Sequence, residues 1–339
     1  MKKKILLVCL ETEDMPRLYP AFGLMYIADA LIKKGYEAKI IHDYASREIF
    51  DSIILDAQDA LLVGFTTKTS PRLKHIYELS KRLKEVNKNV IVWGGVHATL
   101  TAEDTIKNDF VDFVVLGEGE ISMPRLVETI ENSGDFSKIK GIAFKDKNGK
   151  IVVNEQNEFI KNLDEFKPRW ELVDVERYLG KSRELVLIES RGCPSRCSYC
   201  YNLSFNKRMW RAHSADFVVD MVNELRNKYE INGVAFYSDN FVVNKKRALE
   251  IVRRLNMHWS AEIRADYFDE EFIKDIKETK CKRLYIGAES GSDKVLGILK
   301  KDIKVKNIEN AVRLARESGV GITCSFMIGI PGETKDDRN

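Results

Sequence analysis

Long apolar runs are missing from this sequence. No apolar stretch among the 339 residues approaches the ~20 residues that are needed to span a bilayer. The apolar run that follows Lys2–Lys4 ends at Cys9-Leu10, which is too short for the hydrophobic region of a signal peptide. Dense charge of one sign is missing too, because the net charge of +3 is spread along the chain. We therefore expect a cytoplasmic protein with no membrane span and no nucleic-acid partner.

The cysteine pattern does not indicate a disulfide framework, and no solenoid-type repeat is evident. Three of the six cysteines are crowded into the eight residues from Cys193 to Cys200, unlike the spacing of a secreted disulfide scaffold. The chain is 44% hydrophobic and 32% charged, which is typical of globular proteins. At this length it has ample material for two α/β cores.

The first part of the chain, residues 1–135, alternates short β-branched runs with amphipathic helical patterns such as Phe22–Lys34 and Arg72–Val86. Continuous apolar strands separated by helices predict an α/β fold with a parallel sheet covered on both faces. This layout is Rossmann-like (flavodoxin-like), and such sheets bind ligands at the carboxyl ends of their strands. The predicted strands are Lys4–Cys9, Glu37–His42, Ala60–Thr66, Val90–Trp93 and Phe113–Leu116.

A connector and a second α/β series follow. Residues 136–183 contain a predicted hairpin with an Asn148-Gly149 turn and an ordered segment without clear periodicity. Residues 184–339 predict a partial (β/α) barrel, which we expect to be truncated after about five strands because its last strand would be left as an exposed edge. The predicted strands are Glu184–Glu189, Val234–Tyr237, Ser260–Arg264, Arg283–Gly287 and Gly321–Ile328.

The strongest chemical signal is the run Cys193-Pro-Ser-Arg-Cys197-Ser-Tyr-Cys200, which follows a predicted strand. Three thiolates on a short loop can hold three irons of a [4Fe-4S] cubane and leave the fourth iron open. The amino and carboxylate groups of a methionine can chelate that open iron. Structural zinc is a second interpretation, but it prefers four ligands, and the fourth would have to be His213 or a remote group. A third interpretation is that the cysteines are inert buried thiols, but inert cysteines would not be expected to cluster around Pro194.

This segment resembles the radical S-adenosylmethionine (SAM) superfamily, in which the aromatic residue before the third cysteine, here Tyr199, lies by the adenine. Three later motifs match the family in order and spacing: Phe236–Asn240, Ile286–Gly291 and Ser325–Thr334. All three motifs lie at the carboxyl ends of predicted strands, which is where barrel enzymes have their active sites. The resemblance implies that SAM is contacted by Tyr199, Tyr237, Ser238, Asp239, Arg264, Glu289, Ser290 and Gly329.

The first domain resembles the cobalamin-binding domain that precedes the radical module in the cobalamin-dependent subclass. No Gly-x-Gly-x-x-Gly follows the first strand, which argues against a dinucleotide. The Asp-x-His-x-x-Gly run that supplies a histidine to cobalt in many such domains is also absent, as it is in many cobalamin-dependent radical enzymes, which is compatible with a cobalt that has no histidine ligand. The resemblance implies cobalamin contacts at Thr66, Thr67, Ser70, Gly94, Gly95, His97, Gly117 and Glu118.

The resemblance implies an enzyme that cleaves SAM to a 5′-deoxyadenosyl radical, most readily for methyl transfer to an unactivated carbon. Ring formation or another oxidative rearrangement is an alternative. A methylthiotransferase is a further one, although that family carries extra cysteines in its first domain and this chain has only Cys9 there. A truncated, non-catalytic paralogue that binds cobalamin or the cluster is the last. The expected partners are a small-molecule or natural-product substrate and an external one-electron reductant of the flavodoxin or ferredoxin type.

Overall fold

The structure is a computed structural model that describes residues 3–15 and 17–338. The chain forms two compact units. The first runs as far as Lys161 and includes Glu165–Arg177, and the second comprises Asn162–Asp164 and the chain from Tyr178 onward. Among the described residues, every helix is too short or too polar to cross a bilayer.

The first unit contains a seven-stranded sheet in the order β2-β1-β3-β4-β5-β6-β7. The first five strands of that order are parallel, and the order 2-1-3-4-5 is that of a flavodoxin-like fold, which confirms the predicted α/β layout. The strands are β1 (Lys4–Glu11), β2 (Glu37–Tyr44), β3 (Ala60–Thr66), β4 (Val90–Gly94), β5 (Phe113–Val115), β6 (Ile142–Lys145) and β7 (Ile151–Val153).

Helices cover both faces of this sheet. β1 is buried along six consecutive residues, because neither of its faces meets water. On one face Leu6, Val8 and Leu10 pack in a core with side chains from two of the helices, including Phe50 and Leu79. The helices are α1 (Phe22–Lys33), α2 (Arg47–Asp56), α3 (Leu73–Val86), α4 (Gly95–Leu100), α5 (Ala102–Ile106) and α6 (Gly119–Glu131).

The predicted hairpin is present as β6 and β7. It pairs antiparallel with β5 and therefore extends the first sheet instead of standing apart in the connector. Gly149 has a φ of +78° in the turn, a value that glycine adopts without strain. The hairpin thus belongs to the first unit.

The second unit contains a parallel sheet of five strands in the order β14-β13-β12-β11-β8, so that neighbouring strands of the sheet follow one another along the chain. This is the order expected of a partial (β/α) barrel. The five predicted strands are all found, and no strand end differs from the prediction by more than two residues. They are β8 (Glu184–Leu187), β11 (Gly233–Phe236), β12 (His258–Ile263), β13 (Cys281–Glu289) and β14 (Gly321–Phe326), and a short antiparallel ribbon is formed by β9 (Ser190–Arg191) and β10 (Arg211–Ala212).

Four helices of the second unit begin at side-chain caps that the sequence provides, at Ser214, Asn244, Asp269 and Ser292. Ser214 Oγ accepts a hydrogen bond from Phe217 N at 3.1 Å, and Asp269 Oδ1 accepts one from Phe272 N at 2.8 Å. Gly319 ends the last helix at a φ of +73°. The helices are α7 (Glu176–Leu179), which straddles the boundary between the units, α8 (Ala215–Lys228), α9 (Lys245–Leu255), α10 (Glu270–Lys277), α11 (Asp293–Ile298) and α12 (Val305–Ser318).

The two faces of the second sheet differ in polarity. On β13, Leu284, Ile286 and Ala288 are buried, whereas the alternate residues Arg283 and Tyr285 are more accessible. β12 shows the same alternation, with buried Ala261 and Ile263 and an accessible Glu262 between them. Because side chains alternate along a strand, one face packs as an apolar core and the other is lined with polar groups.

Candidate functional site

The three clustered cysteines lie on a loop that leaves β9, at one end of the second sheet. Gly192 starts the loop with a φ of +84°, and a Cβ at this position would lie 2.0 Å from the carbonyl oxygen of Met209. Any other residue would therefore clash with the backbone there as well as being strained. The glycine lets the chain turn tightly into Cys193.

Asp239, which follows β11, is bonded to both ends of this loop. Its Oδ2 accepts a hydrogen bond from Gly192 N at 2.9 Å, and its Oδ1 accepts one from the hydroxyl of Tyr201 at 2.9 Å. Burial raises the pKa of Tyr201, and the Asp239 carboxylate raises it further. Asp239 thereby fixes the residues on either side of the cysteines.

The cysteine side chains line a cavity of about 380 Å³. Cys193 and Cys197 are buried and Cys200 is partly buried; burial raises the pKa of the Cys200 thiol. The three Sγ atoms are not all within 4.8 Å of one another. Tetrahedral zinc, with Zn–S bonds of about 2.3 Å, holds its sulfurs about 3.8 Å apart. A cubane, which has a separate iron for each thiolate, spaces them more widely, and the loop fits that group better.

Polar side chains from the ends of the neighbouring strands share the cavity. Asp239, Arg264 and Glu289 come from the ends of β11, β12 and β13, and Tyr199 comes from the cysteine loop itself. These are four of the eight positions that the sequence analysis assigned to SAM. The structure brings them together with the cysteines.

Glu289 is the centre of a small ionic cluster. Its Oε1 accepts hydrogen bonds from the Tyr199 hydroxyl and from Lys301 Nζ, each at 2.8 Å. Burial and the hydrogen bond to this carboxylate raise the pKa of Tyr199. A Cβ at Gly287 would lie 2.3 Å from Glu289 Oε1, so any side chain there would displace the carboxylate from its present position. Glu289 itself has a φ of +64°, at an irregular register between β13 and β14, and such strain clusters at functional positions.

Arg264 reaches the cysteine loop from the end of β12. Its Nη1 donates to Cys197 Sγ at 3.5 Å, and its Nη2 donates to the carbonyl oxygen of Lys301 at 2.8 Å. On the other edge of the guanidinium, Arg264 Nε donates a hydrogen bond to Asp266 Oδ1 at 2.9 Å. The side chain is 8% exposed.

The other four positions assigned to SAM do not line the cavity. Ser238 is buried and donates to Glu189 Oε1 at 2.7 Å, and the ring of Tyr237 packs edge-on against Tyr285 at 6.3 Å. Ser290 Oγ accepts from Ser292 N at 3.1 Å. Gly329 N donates to Glu333 Oε2 at 2.8 Å in an exposed loop, with a φ of +86°.

Sequence reasoning missed several residues of the cavity, among them Lys301, Glu262 and Tyr285. Burial and the nearby Asp239 carboxylate raise the pKa of Glu262. A signal was present for Glu262, because polar residues alternate along β12 from His258 to Arg264 and so mark a face that is not apolar. Lys301 carried no such signal, since it follows the turn after α11 and its contacts with Glu289, Tyr199 and Arg264 are all long-range or depend on the fold.

In the first unit, residues assigned to cobalamin meet at the carboxyl ends of β3, β4 and β5. Both the backbone nitrogen and the hydroxyl of Thr67 donate to the carbonyl oxygen of Gly94 at 2.7 Å. Thr67 Oγ1 in turn accepts from Ala98 N at 3.1 Å, at the start of α4. Gly95 has a φ of +88°, and a Cβ there would lie 2.7 Å from Thr67 O. Thr66, the last residue of β3, borders the same glycine.

The remaining positions of this edge have local partners. His97 Nδ1 lies 2.9 Å from Thr69 Oγ1, and burial lowers the pKa of this histidine. Gly117, with a φ of +67°, donates through its nitrogen to Thr99 Oγ1 at 3.0 Å. The carboxylate of Glu118 accepts from Ile160 N at 3.0 Å, and Ser70 Oγ donates to Lys68 O at 3.3 Å in an exposed turn.

Comparison with known proteins assigns both units to families. Residues 187–339 match the model of the radical SAM superfamily, and residues 14–127 match that of the B12 binding domain. An uncharacterized methyltransferase of Pyrococcus horikoshii is 34% identical over 98% of this chain and 76% of its own length. The anaerobic magnesium-protoporphyrin IX monomethyl ester cyclase of Synechocystis is 27% identical, over 89% of this chain and 63% of the cyclase.

A solved structure has the same fold. The radical SAM methyltransferase TsrM from Kitasatospora setae superposes with a TM-score of 0.82, at 19% identity, over 99% of this chain and 69% of that one. The family follows from the two domain matches and the 34% identical relative. The chain belongs to the cobalamin-dependent radical SAM enzymes, whose cofactors are a [4Fe-4S] cluster, SAM and cobalamin.

Proposed function

We propose that this chain uses a [4Fe-4S] cluster bound by Cys193, Cys197 and Cys200 to cleave SAM, and that it transfers a methyl group to an unactivated carbon of a small molecule. One observation carries the proposal: three thiols on one loop open onto a cavity that also receives the ends of β11, β12 and β13. We assign cobalamin binding to residues 1–135 and the radical chemistry to 184–339; residues 136–183 contain the hairpin that extends the first sheet and the segment that connects the two domains.

When bound, the cluster would supply the electron for cleavage of SAM to methionine and a 5′-deoxyadenosyl radical, and cobalamin would supply the methyl group. The protein holds and orients them. Asp239 fixes both ends of the cysteine loop, and its two carboxylate oxygens are used for that purpose. We therefore assign Asp239 a positioning role rather than the direct SAM contact expected from the sequence.

SAM would meet the ionic cluster of Tyr199, Glu289 and Lys301. A zwitterionic methionine group and a ribose with two hydroxyls need donors and acceptors of both signs, and the cluster offers an ammonium, a phenol and a carboxylate within hydrogen-bonding distance. The ammonium and the carboxylate neutralise each other while the site is empty of substrate. The low exposure of Lys301 and Glu289 strengthens these interactions because little water screens them.

Cobalamin would lie against the edge formed by Thr66, Thr67, Gly94, Gly95 and Gly117. A large planar ligand needs close approach to backbone, which the glycines permit, while threonine hydroxyls can bond its amide groups. The tight packing at Gly95 supports this assignment, because the backbone of two strand ends already converges there without room for a side chain.

The test is anaerobic reconstitution with iron, sulfide and cobalamin, followed by reduction in the presence of SAM whose methyl group is deuterated. Formation of 5′-deoxyadenosine together with a product carrying the deuterated methyl group is the expected result. The substrate panel should consist of small molecules, and the electron donor should be a flavodoxin or ferredoxin type reductant. Reduced, cluster-loaded protein that forms no 5′-deoxyadenosine would contradict the proposal.

Oxidative ring closure is a second candidate, favoured by the 27% identical relative that is named a cyclase. The same assay separates the two reactions. A product that has lost hydrogen and gained no deuterated methyl group indicates cyclisation, whereas a mass increase from the labelled methyl group indicates methyl transfer.

A further inference from the structure

Arg264 makes a contact that binding of SAM does not require: its Nη1 lies 3.5 Å from the sulfur of Cys197. Cys197 is the middle cysteine of the loop and is buried, and Arg264 is 8% exposed. A guanidinium group donates hydrogen bonds and cannot accept them, so the sulfur is the acceptor.

The rest of the guanidinium is held in place by two acceptors. Asp266 receives Nε at 2.9 Å and Nη2 at 3.2 Å in a two-point contact, and the carbonyl oxygen of Lys301 receives Nη2 at 2.8 Å. Nη1 is the remaining nitrogen, and the planar geometry of the group then directs it at the cysteine sulfur. The direction is set by the surrounding residues before any ligand arrives.

We propose that Arg264 is a positioning residue that donates a hydrogen bond to the Cys197 thiolate and raises the reduction potential of the cluster. The inference rests on the proposed function, in which Cys197 is a cluster ligand. Accepting one electron makes the cluster more negative, and a hydrogen bond or positive charge at a ligating sulfur stabilises that reduced form. An external one-electron donor, of the flavodoxin or ferredoxin type, supplies the electron.

Three variants test this role: Arg264→Gln, Arg264→Lys and, as a matched control, Arg196→Gln. Arg196 lies in the same loop and its removal costs the same charge, but it is exposed and its guanidinium is bonded to Asp302 at 2.7 and 2.9 Å. Each purified protein is reconstituted without SAM, its iron and sulfide are counted, and its midpoint potential is measured by a redox titration followed by electron paramagnetic resonance (EPR).

We expect Arg264→Gln to hold the cluster with a potential clearly more negative than that of the wild type. Arg264→Lys should show a smaller shift in the same direction, because the charge remains but the two-point contact with Asp266 is lost. The Arg196→Gln control should match the wild type. If Arg264→Gln does not retain the cluster, the test rests on Arg264→Lys, whose midpoint potential should again be more negative than that of the wild type.

An unchanged potential in a cluster-loaded Arg264 variant would overturn the inference. If such a variant instead bound SAM more weakly at an unchanged potential, Arg264 would be a SAM ligand and the inference would again be wrong. Failure of the wild-type protein itself to assemble a [4Fe-4S] cluster would contradict the proposed function, and this outcome is seen in the iron count before any potential is compared.

Discussion

The carboxyl ends of the two sheets are built from different kinds of groups. In the first unit the candidate ligand edge consists of backbone amides, glycines and threonine hydroxyls, which bond to one another around Thr67 and Gly94. In the second unit it consists of thiols and charged side chains, with Arg264, Glu289 and Lys301 paired inside one cavity. A large ligand that is recognised by shape suits the first edge, and a small charged ligand beside a metal cluster suits the second. Substitutions should therefore act through steric fit in the first unit and through charge and ligation in the second.

The largest effect is expected for the cysteine loop. Cys197→Ala should abolish cluster assembly and 5′-deoxyadenosine formation, because two thiolates cannot hold three irons of a cubane. Iron content and the visible absorption of the anaerobically reconstituted protein measure this. Cys281→Ala, at the start of β13 and outside the loop, is the control and should retain both. A Cys197→Ala protein with a full cluster would show that Cys197 is not a cluster ligand and that the second unit does not act through ligation by this loop.

The next effect concerns charge in the same cavity. Lys301→Met leaves the Glu289 carboxylate buried without its ammonium partner, and loss of such a partner costs about 1–3 kcal/mol or more. We expect the affinity for SAM to fall about tenfold or more, while the iron content stays at the wild-type level. Equilibrium binding of SAM to reconstituted protein is the measurement. The adjacent and exposed Lys300→Met should bind SAM normally; equal losses in both variants would argue against a specific role for the ion pair.

Steric fit in the first unit is tested by Gly95→Ala. The positive φ and the approach of Thr67 O predict a loss of about 3 kcal/mol in the free energy of unfolding, together with weaker retention of cobalamin. Urea unfolding and the absorption of bound cobalamin measure the two effects. Gly23→Ala in the first turn of α1 has no atom within 4 Å of the new Cβ and should not lower the free energy of unfolding. If Gly95→Ala behaves like Gly23→Ala, the edge is not as tightly packed as described.

These examples also show what the sequence could and could not predict. The strands and most helices followed from apolar periodicity, and the cysteine spacing identified the loop on its own. Lys301 was not predictable, because a lysine in a turn looks exposed until the fold carries it beside Glu289. Asp239 was placed at the correct strand end, but its bonds to Gly192 and Tyr201 depend on how the loop folds over it. The hairpin was recognised from its turn, whereas its pairing with β5 is a long-range contact that leaves no local signal.

A pH-dependent effect is shared by the two units. Burial lowers the pKa of His42 in the first unit and of His213 in the second to about 4, from an ordinary value of 6.5. Below pH 6.5 these two histidines bind protons in the unfolded chain but stay neutral in the folded chain. Their contribution to the free energy of unfolding is therefore fully present above pH 6.5 and is lost as the pH falls toward 4. Each histidine should contribute a loss of about 2 kcal/mol between pH 7 and pH 5.

Urea unfolding at several pH values checks this prediction. His213→Gln should reduce the loss of stability between pH 7 and pH 5 to about half of the wild-type loss, because only the contribution of His42 remains. A wild-type stability that does not change over this range would show that His42 and His213 are not held neutral by burial.

The most direct test of the central claim, that three cysteines hold a cluster with one open iron, is the EPR spectrum of the reduced protein before and after addition of SAM. We expect about four irons per chain, a signal typical of a reduced [4Fe-4S] cluster, and a change in that signal when SAM binds the open iron. Zinc in place of iron, or a cluster signal that SAM leaves unchanged, would contradict it.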